Sequence, residues 1–361
     1  MNNLEKLDNL INTSKKDNWD EMVAGKAILN PEQQATYLRE FQYADPANTL
    51  SHMVLMNTPV RETSMFNIKG RVSQGGYVSG THTTKSELTE ADLNFTPQQI
   101  ATTKIRGFTS LTDDELEENI ERQTLQQTVL NEMGYKMGLD QAFWSFFGDT
   151  SIAHADNVSG GSELLCMGDG WIKNAGTSLK SKGMSGSTDF DIANGVTAMF
   201  DAMKDKLPAD IRNTQQLTLF VPYEVEDAYR NEVIARQTPL GDSTLPSWGG
   251  LTYKNMPIVY SPALDDTYGQ SKAGGAVCLL SSTSNLEWNI FKDITIEIER
   301  KADIEQNNFY FRYKGIPSVQ RKDGVVTAKI TTDELADIQA SSKKQPVYVQ
   351  QVTTTTSGSS P

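Results

Sequence analysis

Histidine and serine side chains are the usual sources of nucleophiles and general bases, and none of them has a catalytic spacing here. The three histidines, His52, His82 and His154, are far apart, and none has a second metal ligand four residues away or a nearby Cys-x-x-Cys pair. Ser185, in the run GMSGS, misses the Gly-x-Ser-x-Gly pattern of a nucleophile elbow by one position. The sequence therefore predicts no catalytic residues.

Glycine-rich and acidic stretches match phosphate or metal sites only in part. The run GRVSQGGYVSG lacks the spacing of a dinucleotide-binding loop, and no phosphate-binding GxxxxGK[ST] sequence occurs. Asp189 and Asp191 begin like a calcium loop, but alanine occupies the next ligand position, so the N-terminus of a helix is the better interpretation. Cys166 and Cys278 are far apart and are expected to be reduced thiols. We expect no cofactor and no metal site.

Charge and hydropathy narrow the classes of partner. The chain has 361 residues and a formal charge of −13, and a surface that negative disfavours gripping nucleic acid. Lys15–Lys16 and Lys343–Lys344 are isolated basic pairs, and no basic patch is visible along the sequence. No stretch approaches the roughly 20 apolar residues of a membrane span, and the N-terminus lacks an apolar signal core. We therefore expect no membrane partner and an intracellular site of synthesis.

The element that would position other parts of the chain is a long helix predicted over residues 112–147. Thr112 and Glu115 form a capping-box pair, and acidic residues crowd the first turns, where the helix dipole favours negative charge. This capping role, rather than catalysis by paired carboxylates, is the preferred account of the acids. Apolar side chains recur every fourth residue along one face, at Leu125, Val129, Met133 and Met137. Gly148 is expected to end the helix in a left-handed conformation, after roughly 50 Å.

Extended segments flank this helix. Residues 1–60 resemble an arm with little to bury by itself, and residues 61–110 predict a long two-stranded hairpin. Its limbs are assigned to Val72, Tyr77 and Val78 on one side and Ile100, Ile105 and Phe108 on the other. A lone hairpin is only marginally stable in water, so it must pack on its own domain or on a neighbour.

A compact mixture of helices and strands follows. The sequence predicts a helix from Asp189 that is ended by Pro208, buried strands at residues 217–221, 256–264 and 275–282, a helix opened by Pro222, and alternating strands through Ile294–Ile298 and Phe309–Tyr313. The chain from about residue 338 is a polar tail. The predicted fold class is α+β.

The order of these parts resembles the major capsid proteins of tailed bacteriophages, which have the Hong Kong 97-like fold. The resemblance covers about residues 61–325. It is carried by TSLTDDELEENIE, FFGDTS, GDGWIKNAG, LTLFVPYEVEDAYR, MPIVYSPAL and EIERKADIEQNNFYFRYKG. It implies an N-terminal arm (1–60), an extended hairpin loop (61–110), a peripheral domain with a spine helix and connector (111–188), an axial domain (189–282), return strands of the peripheral domain (283–330) and a C-terminal tail (331–361).

The resemblance also implies a structural, non-enzymatic subunit of hexamers and pentamers in an icosahedral shell around double-stranded DNA, without sequence-specific DNA binding. The shell would assemble in the cytoplasm of a bacterial host and form the virion capsid. Only about 60 residues precede the hairpin, so a separate scaffolding protein is expected, together with a portal and decoration proteins. Lys69 and Lys85 lie in the hairpin, but no motif identifies an isopeptide partner, and crosslinking is not predicted.

Other interpretations remain open at this stage. The same fold serves cargo-enclosing shells of the encapsulin type, and a tail or baseplate component or a soluble α+β enzyme with an unrecognised site is also compatible. Under the capsid interpretation, contacts between subunits are expected at Phe66, Tyr77, Phe95, Arg106, Asp114, Glu118 and Arg122. The four charged residues in this set are candidates for salt links, although exposed ion pairs contribute only about 0–1 kcal/mol.

Overall fold

The computed structural model describes residues 44–69, 72–73, 77–78, 81–82, 92–112, 114, 125–153, 162–184, 187, 189–214, 216–235, 250–301, 303–331 and 333–334. The predicted arm up to residue 43, most of the first half of the predicted long helix and the predicted tail lie outside these ranges.

Helices and strands alternate irregularly along the chain. The helices are α1 (Pro46–Leu50), α2 (Leu125–Phe147), α3 (Ser162–Leu165), α4 (Val196–Lys206), α5 (Ala209–Thr214), α6 (Tyr223–Ala235) and α7 (Thr267–Ala273). The strands are β1 (His52–Leu55), β2 (Val60–Lys69), β3 (Tyr77–Val78), β4 (Thr81–His82), β5 (Asp92–Ala101), β6 (Thr103–Thr112), β7 (Thr177–Lys180), β8 (Leu217–Val221), β9 (Thr252–Tyr253), β10 (Met256–Tyr260), β11 (Ala276–Ser282), β12 (Leu286–Lys301), β13 (Gln306–Val319) and β14 (Val325–Ile330). Short 3₁₀ turns lie at Ile192–Asn194, Pro262–Asp265, Thr283–Asn285 and Lys322–Gly324.

The first large sheet has four strands in the order β1-β12-β13-β6. Strand β1 is parallel to β12, and the other two pairings are antiparallel. The predicted alternation in β12 and β13 is confirmed at Ile294, Ile296, Phe309 and Tyr313, which are buried on one face, and Phe311 is partly buried with them. That face packs on helix α2 through Met137 and Trp144, with Met133 beside them. One side of the sheet is thus covered by α2.

The second large sheet has six strands in the order β7-β14-β11-β8-β10-β9 and mixes parallel and antiparallel pairs. Its central strand β11 is buried at every residue, which a sheet covered on both faces requires. Cys278 and Leu280 face the core formed with α4 and α6, while Val277 and Leu279 face the C-terminal end of α2. Helix α2 therefore packs against both sheets.

Gly148, which follows the last residue of α2, is closely packed against another part of the backbone. Gly148 still donates its N–H to the Trp144 carbonyl (2.8 Å), and the described glycines with positive φ are Gly195, Gly274 and Gly275. The predicted left-handed conformation of Gly148 is therefore wrong. A Cβ at this position would overlap the carbonyl oxygen of Gly168, so the residue is glycine because a second backbone passes beside it.

Two further predictions are corrected by the strand pairing. Thr112 ends β6 opposite Gln306, and Asp114 just beyond it is helical, so its role as a helix cap stays a prediction. The hairpin limbs were wrongly assigned: β2 pairs with β5 and β3 with β4, whereas β6, with Ile105 and Phe108, pairs with β13, and Val72 lies in no strand. Strand β14 belongs to the six-stranded sheet, although residues 283–330 were predicted to return to the other sheet.

The aspartates near residue 190 precede the 3₁₀ turn Ile192–Asn194, with the Asp191 carbonyl accepting from the Asn194 N–H (3.2 Å), and not an α-helix. Asp189 accepts from the Lys180 N–H (3.1 Å), and Asp191 forms an ion pair with Lys182 (2.8 Å). Helix α4 begins later, at Val196, with Gly195 as its N-cap. The other predicted elements of this region are confirmed at β8, α6, β10 and β11, within a few residues at their ends.

Candidate functional site

Among the described strands, β2 and β5 pair only with each other, and they form a hairpin. Its register runs through ten residue pairs, from Val60 opposite Ala101 to Lys69 opposite Asp92, without a bulge. At about 3.3 Å per residue the two strands extend roughly 33 Å. Together they form a separate two-stranded sheet, and neither strand joins the larger sheets. An isolated two-stranded ribbon is marginal in water, so this ladder gains most if another surface covers it.

The base of the hairpin is fixed to the body of the protein. The Thr102 N–H and hydroxyl both donate to the Pro59 carbonyl, at 2.9 and 3.0 Å, and this closes the two strands at their lower end. The Arg61 guanidinium approaches the Asn289 side-chain oxygen on β12 (3.5 Å). Ile100 is buried at the same level. These contacts fix the position of the base of the hairpin beside the four-stranded sheet.

The residues predicted to contact other subunits fall into three groups. Phe66 and Phe95 are register partners halfway along the β2–β5 ladder. Tyr77 lies in the small β3–β4 ribbon, opposite His82. Arg106 is exposed in β6, and Asp114 is exposed just beyond that strand. The other two predicted residues, Glu118 and Arg122, lie outside the described ranges. The intersubunit role of all seven stays a prediction.

The outer face of the four-stranded sheet, turned away from α2, carries a cluster of cations that will be called the basic face. In the pairing of β13 with β6, Arg312 is opposite Arg106 and Lys314 is opposite Lys104. In the pairing of β13 with β12, Lys314 is also opposite Lys292. Residues paired across an antiparallel ladder point to the same side, so all five cations share one face. Within the described residues Arg312 alone among them has an acidic partner, Glu297.

The cations of the basic face repel one another. Partial desolvation, followed by repulsion from Arg106, Arg312, Lys314 and Lys292, lowers the pKa of Lys104. No basic patch was expected from the sequence, and that expectation is wrong. The signal was invisible because residues 104–106 and 292–314 are almost two hundred positions apart and meet only through strand pairing.

An aromatic pair borders the basic face. Phe108 is opposite Tyr310 on the next rung of the same side, with ring centroids 5.1 Å apart. Phe108 is 58% exposed, which is unusual for a phenylalanine beside a folded sheet. Exposed aromatics next to arginines are typical of protein–protein interfaces.

Two of the sequence runs that carried the resemblance pack against each other at the end of α2. The backbone N–H of Trp171 donates to the Ser145 carbonyl (2.7 Å), and the backbone N–H of Gly170 donates to the Gly148 carbonyl (2.8 Å). The Trp171 ring stands edge-on to Phe146, with centroids 5.2 Å apart. These contacts pack GDGWIKNAG against the C-terminal end of α2 and the FFGDTS run.

The residues first considered for catalysis are dispersed. His52 is in β1 and His82 is in β4, while His154 and Ser185 lie outside the described ranges. Both cysteines are free, and complete burial raises the pKa of the Cys278 thiol. Over the described part of the chain no group of three or more His, Cys, Asp or Glu side chains could hold a metal ion.

Within the described ranges, no helix is both long enough and apolar enough to cross a bilayer.

The similarities to known proteins, in sequence and in structure, are to capsid proteins of phages and prophages. No family model matches the chain. In sequence it is 22% identical over 288 residues to YqbE of Bacillus subtilis (strain 168), which is named as a prophage capsid protein, covering 78% of this chain and 85% of that one. In structure it matches the satellite phage P4 procapsid with a TM-score of 0.52 at 13% identity, over 81% of this chain and 97% of that one. It also matches Mycobacterium phage Ogopogo with a TM-score of 0.53 at 10% identity, over 78% and 91% of the two chains.

The fold is therefore that of phage capsid proteins, and the predicted Hong Kong 97-like class is confirmed. The relative found by sequence is named as a prophage capsid protein, and the matched structures are phage capsids.

Proposed function

We propose that this chain is a structural major capsid protein, which assembles into the hexamers and pentamers of an icosahedral shell around double-stranded DNA. The observation that carries the proposal is the extent of the fold match: 97% of the P4 procapsid chain is covered by 81% of this one. A match over nearly a whole shell subunit includes the parts that such a subunit uses for assembly. We infer a structural and not a catalytic role.

The unequal construction of the molecule supports assembly. The two large sheets and α2 bury three apolar clusters within one chain. The β2–β5 hairpin pairs only with itself and extends from a fixed base. A protruding ribbon of this kind gains stability when a neighbouring subunit buries it, so folding of the hairpin and assembly of the shell are coupled.

Roles for the parts follow from this proposal. The region 61–110 would contain the extended loop that lies over an adjacent subunit, with Phe66, Tyr77 and Phe95 in contact. Helix α2 and the four-stranded sheet would form the peripheral domain. The six-stranded sheet would form the axial domain around five- and six-fold axes, which moves β7 and β14 into that domain relative to the predicted boundaries. The predicted N-terminal arm (1–60) is corrected in its last part, because β1 pairs with β12 and Ala47 of α1 is buried in the core. An arm over the residues before 44 and a C-terminal tail (331–361) remain proposals from the sequence.

Partners and location are proposed on the same basis. A separate scaffolding protein, a portal and decoration proteins would act with the shell. The packaged DNA would be held without sequence-specific contacts. Assembly would take place in the cytoplasm of the bacterial host, and the product would be the virion capsid.

Electron microscopy of the purified chain, paired with its mass by light scattering, tests the proposal. Closed shells, or rings of five and six subunits, are expected, and extraction of particles made in the host should yield double-stranded DNA. An enzyme inside the particles would instead indicate a cargo compartment, and rings or tubes that never close would indicate a tail component. A monomer that stays monomeric with added scaffold, and whose melting temperature is raised by a small ligand, would contradict the proposal.

A further inference from the structure

We propose that the basic face of the four-stranded sheet is a docking surface for a second copy of this chain, which presents the acidic run at residues 113–118. The inference rests on the proposed function, because it names the partner surface for contacts inside the shell. It begins from five cations on one sheet face: Lys104, Arg106, Lys292, Arg312 and Lys314.

The arrangement of these cations is unfavourable in an isolated subunit. Arg106 stands directly across from Arg312, and Lys104 directly across from Lys314. Like charges at directly opposed positions of a ladder destabilise a sheet. Among the described residues one carboxylate, that of Glu297, pairs with the set, through Arg312. The face therefore has unneutralised positive charge that an acidic partner would relieve.

A second copy is the partner that the charge distribution favours. The chain carries −13 overall although five of its cations are concentrated on this face, so the rest of its surface is more acidic still. Residues 113–118 (DDELEE) are its densest acidic run, and Asp114 is exposed. Thr112, the residue before this run, is the last residue of β6 and lies about 20 Å along the strand from Arg106.

The neighbouring aromatic pair also favours a protein partner. Phe108 and Tyr310 continue the basic face by one rung, and Phe108 is exposed. Arginine and aromatic side chains together are enriched where proteins meet, whereas phosphate contacts to duplex DNA need only the cations.

The test is charge reversal at two exposed positions of the edge strand, Lys104→Glu with Arg106→Glu. In the subunit, each new glutamate faces a cation, Lys314 or Arg312, so resistance to urea should stay equal to wild type or increase. In the shell, each new glutamate faces acids of the neighbour, and the yield of shells should fall about a hundredfold. The charge-matched control, Lys206→Glu with Lys322→Glu, changes two exposed lysines away from this face and should assemble normally.

A compensating change identifies the partner. Adding Asp114→Lys and Glu118→Lys to Lys104→Glu/Arg106→Glu restores opposite charges between copies, and shells should reappear. Normal shells from Lys104→Glu/Arg106→Glu, or no recovery by the fourfold variant, would overturn the inference. So would shells of normal yield that lose binding to a fluorescent 20-base-pair duplex, because the face would then serve DNA. Wild type serves as the reference throughout: if it forms no shells, the proposed function fails first, and if it does, the charge reversals test this inference alone.

Discussion

The β2–β5 hairpin and the six-stranded sheet are built from similar strands but differ in what covers them. Strand β11 lies between β14 and β8 with apolar clusters on both faces, and it is buried throughout. Strands β2 and β5 are longer, yet each has one partner, and the ladder forms no part of a larger sheet. Strands in the six-stranded sheet therefore contribute to the buried core, whereas the β2–β5 hairpin extends outside the larger sheets.

This difference separates the quantities that mutations in each region should change. Substitutions in the two-sheet body should lower the free energy of unfolding of the isolated subunit, because apolar area is buried there within one chain. Substitutions in the hairpin should leave that free energy nearly unchanged and reduce assembly.

Removal of a buried ring where α2 meets the six-stranded sheet should have the largest effect. Phe220 in β8 is 1% exposed and lies edge-on to Phe146 of α2, with centroids 5.8 Å apart. Phe220→Ala should lower the free energy of unfolding by about 3–5 kcal/mol, through lost burial and the cavity that remains. Urea unfolding of the subunit, followed by tryptophan fluorescence, measures this. A loss below about 1 kcal/mol, within the range of ordinary surface substitutions, would show that the junction adds little.

A single methyl group tests the packing of FFGDTS against GDGWIKNAG. In Gly148→Ala the new Cβ meets the Gly168 carbonyl oxygen, and only a shift of backbone can relieve the overlap. The expected loss is about 1–3 kcal/mol, as for other overpacked sites. Gly250→Ala is the matched control, since a Cβ there has no atom within 4 Å, and it should change stability by less than about 0.5 kcal/mol. Equal effects at the two positions would refute the close-approach explanation.

The sequence predicted what local patterns encode. LTLFV became β8 at the predicted residues 217–221, because an apolar run this short and bounded by proline is typical of a buried strand. The alternation in β12 and β13 was equally readable, since one face of that sheet is solvated. These elements depend mainly on their own residues.

Features set by distant partners were missed. Strand β5 ends at Ala101 and β6 begins at Thr103, with neither glycine nor proline between them, so no local signal showed that pairing changes from β2 to β13. Thr112, which matches a capping box, is also the last residue of β6, and its pairing with Gln306 has no signal in the nearby sequence. The basic face is missed for the same reason, since its cations converge only through the register of three strands. Local patterns therefore predicted the body of the fold better than its candidate interface.

The pH dependence of stability should have opposite sign at two buried or partly buried carboxyls of the body. Asp45 accepts from the Ala47 N–H, the Ser261 hydroxyl and the Ala263 N–H, but desolvation outweighs these bonds and raises its pKa. The folded state then holds the Asp45 proton above about pH 4, where the unfolded state has lost it, so this contribution to stability falls as pH rises through that window. The stability advantage of wild type over Asp45→Asn should therefore shrink on going from pH 4 to pH 7.

Asp149 provides the control of opposite sign. Burial alone would raise its pKa, but hydrogen bonds from Ser151 and Lys173 outweigh burial and lower it. Its contribution is complete above the unfolded pKa of about 4 and is lost as pH falls through the lower, folded value. The advantage of wild type over Asp149→Asn should thus grow as pH rises toward 4 and then level. Chemical unfolding across pH 3–7 gives both curves, and curves of the same sign would contradict the assignment.

The smallest effect on subunit stability is expected in the hairpin, where Phe66→Ala repeats the Phe220→Ala change. Phe66 is paired with Phe95 in a ribbon that belongs to no larger sheet. The free energy of unfolding should therefore change by less than about 0.5 kcal/mol. Shell yield should fall, because under the proposed function this ladder is buried by a neighbouring subunit.

Deletion of residues 70–85, which include the β3–β4 ribbon, should act in the same direction and leave a folded subunit that assembles poorly. If either variant instead unfolds like Phe220→Ala, the hairpin belongs to the body. If both form normal shells with normal stability, the hairpin serves neither purpose and the contrast between the two regions is wrong.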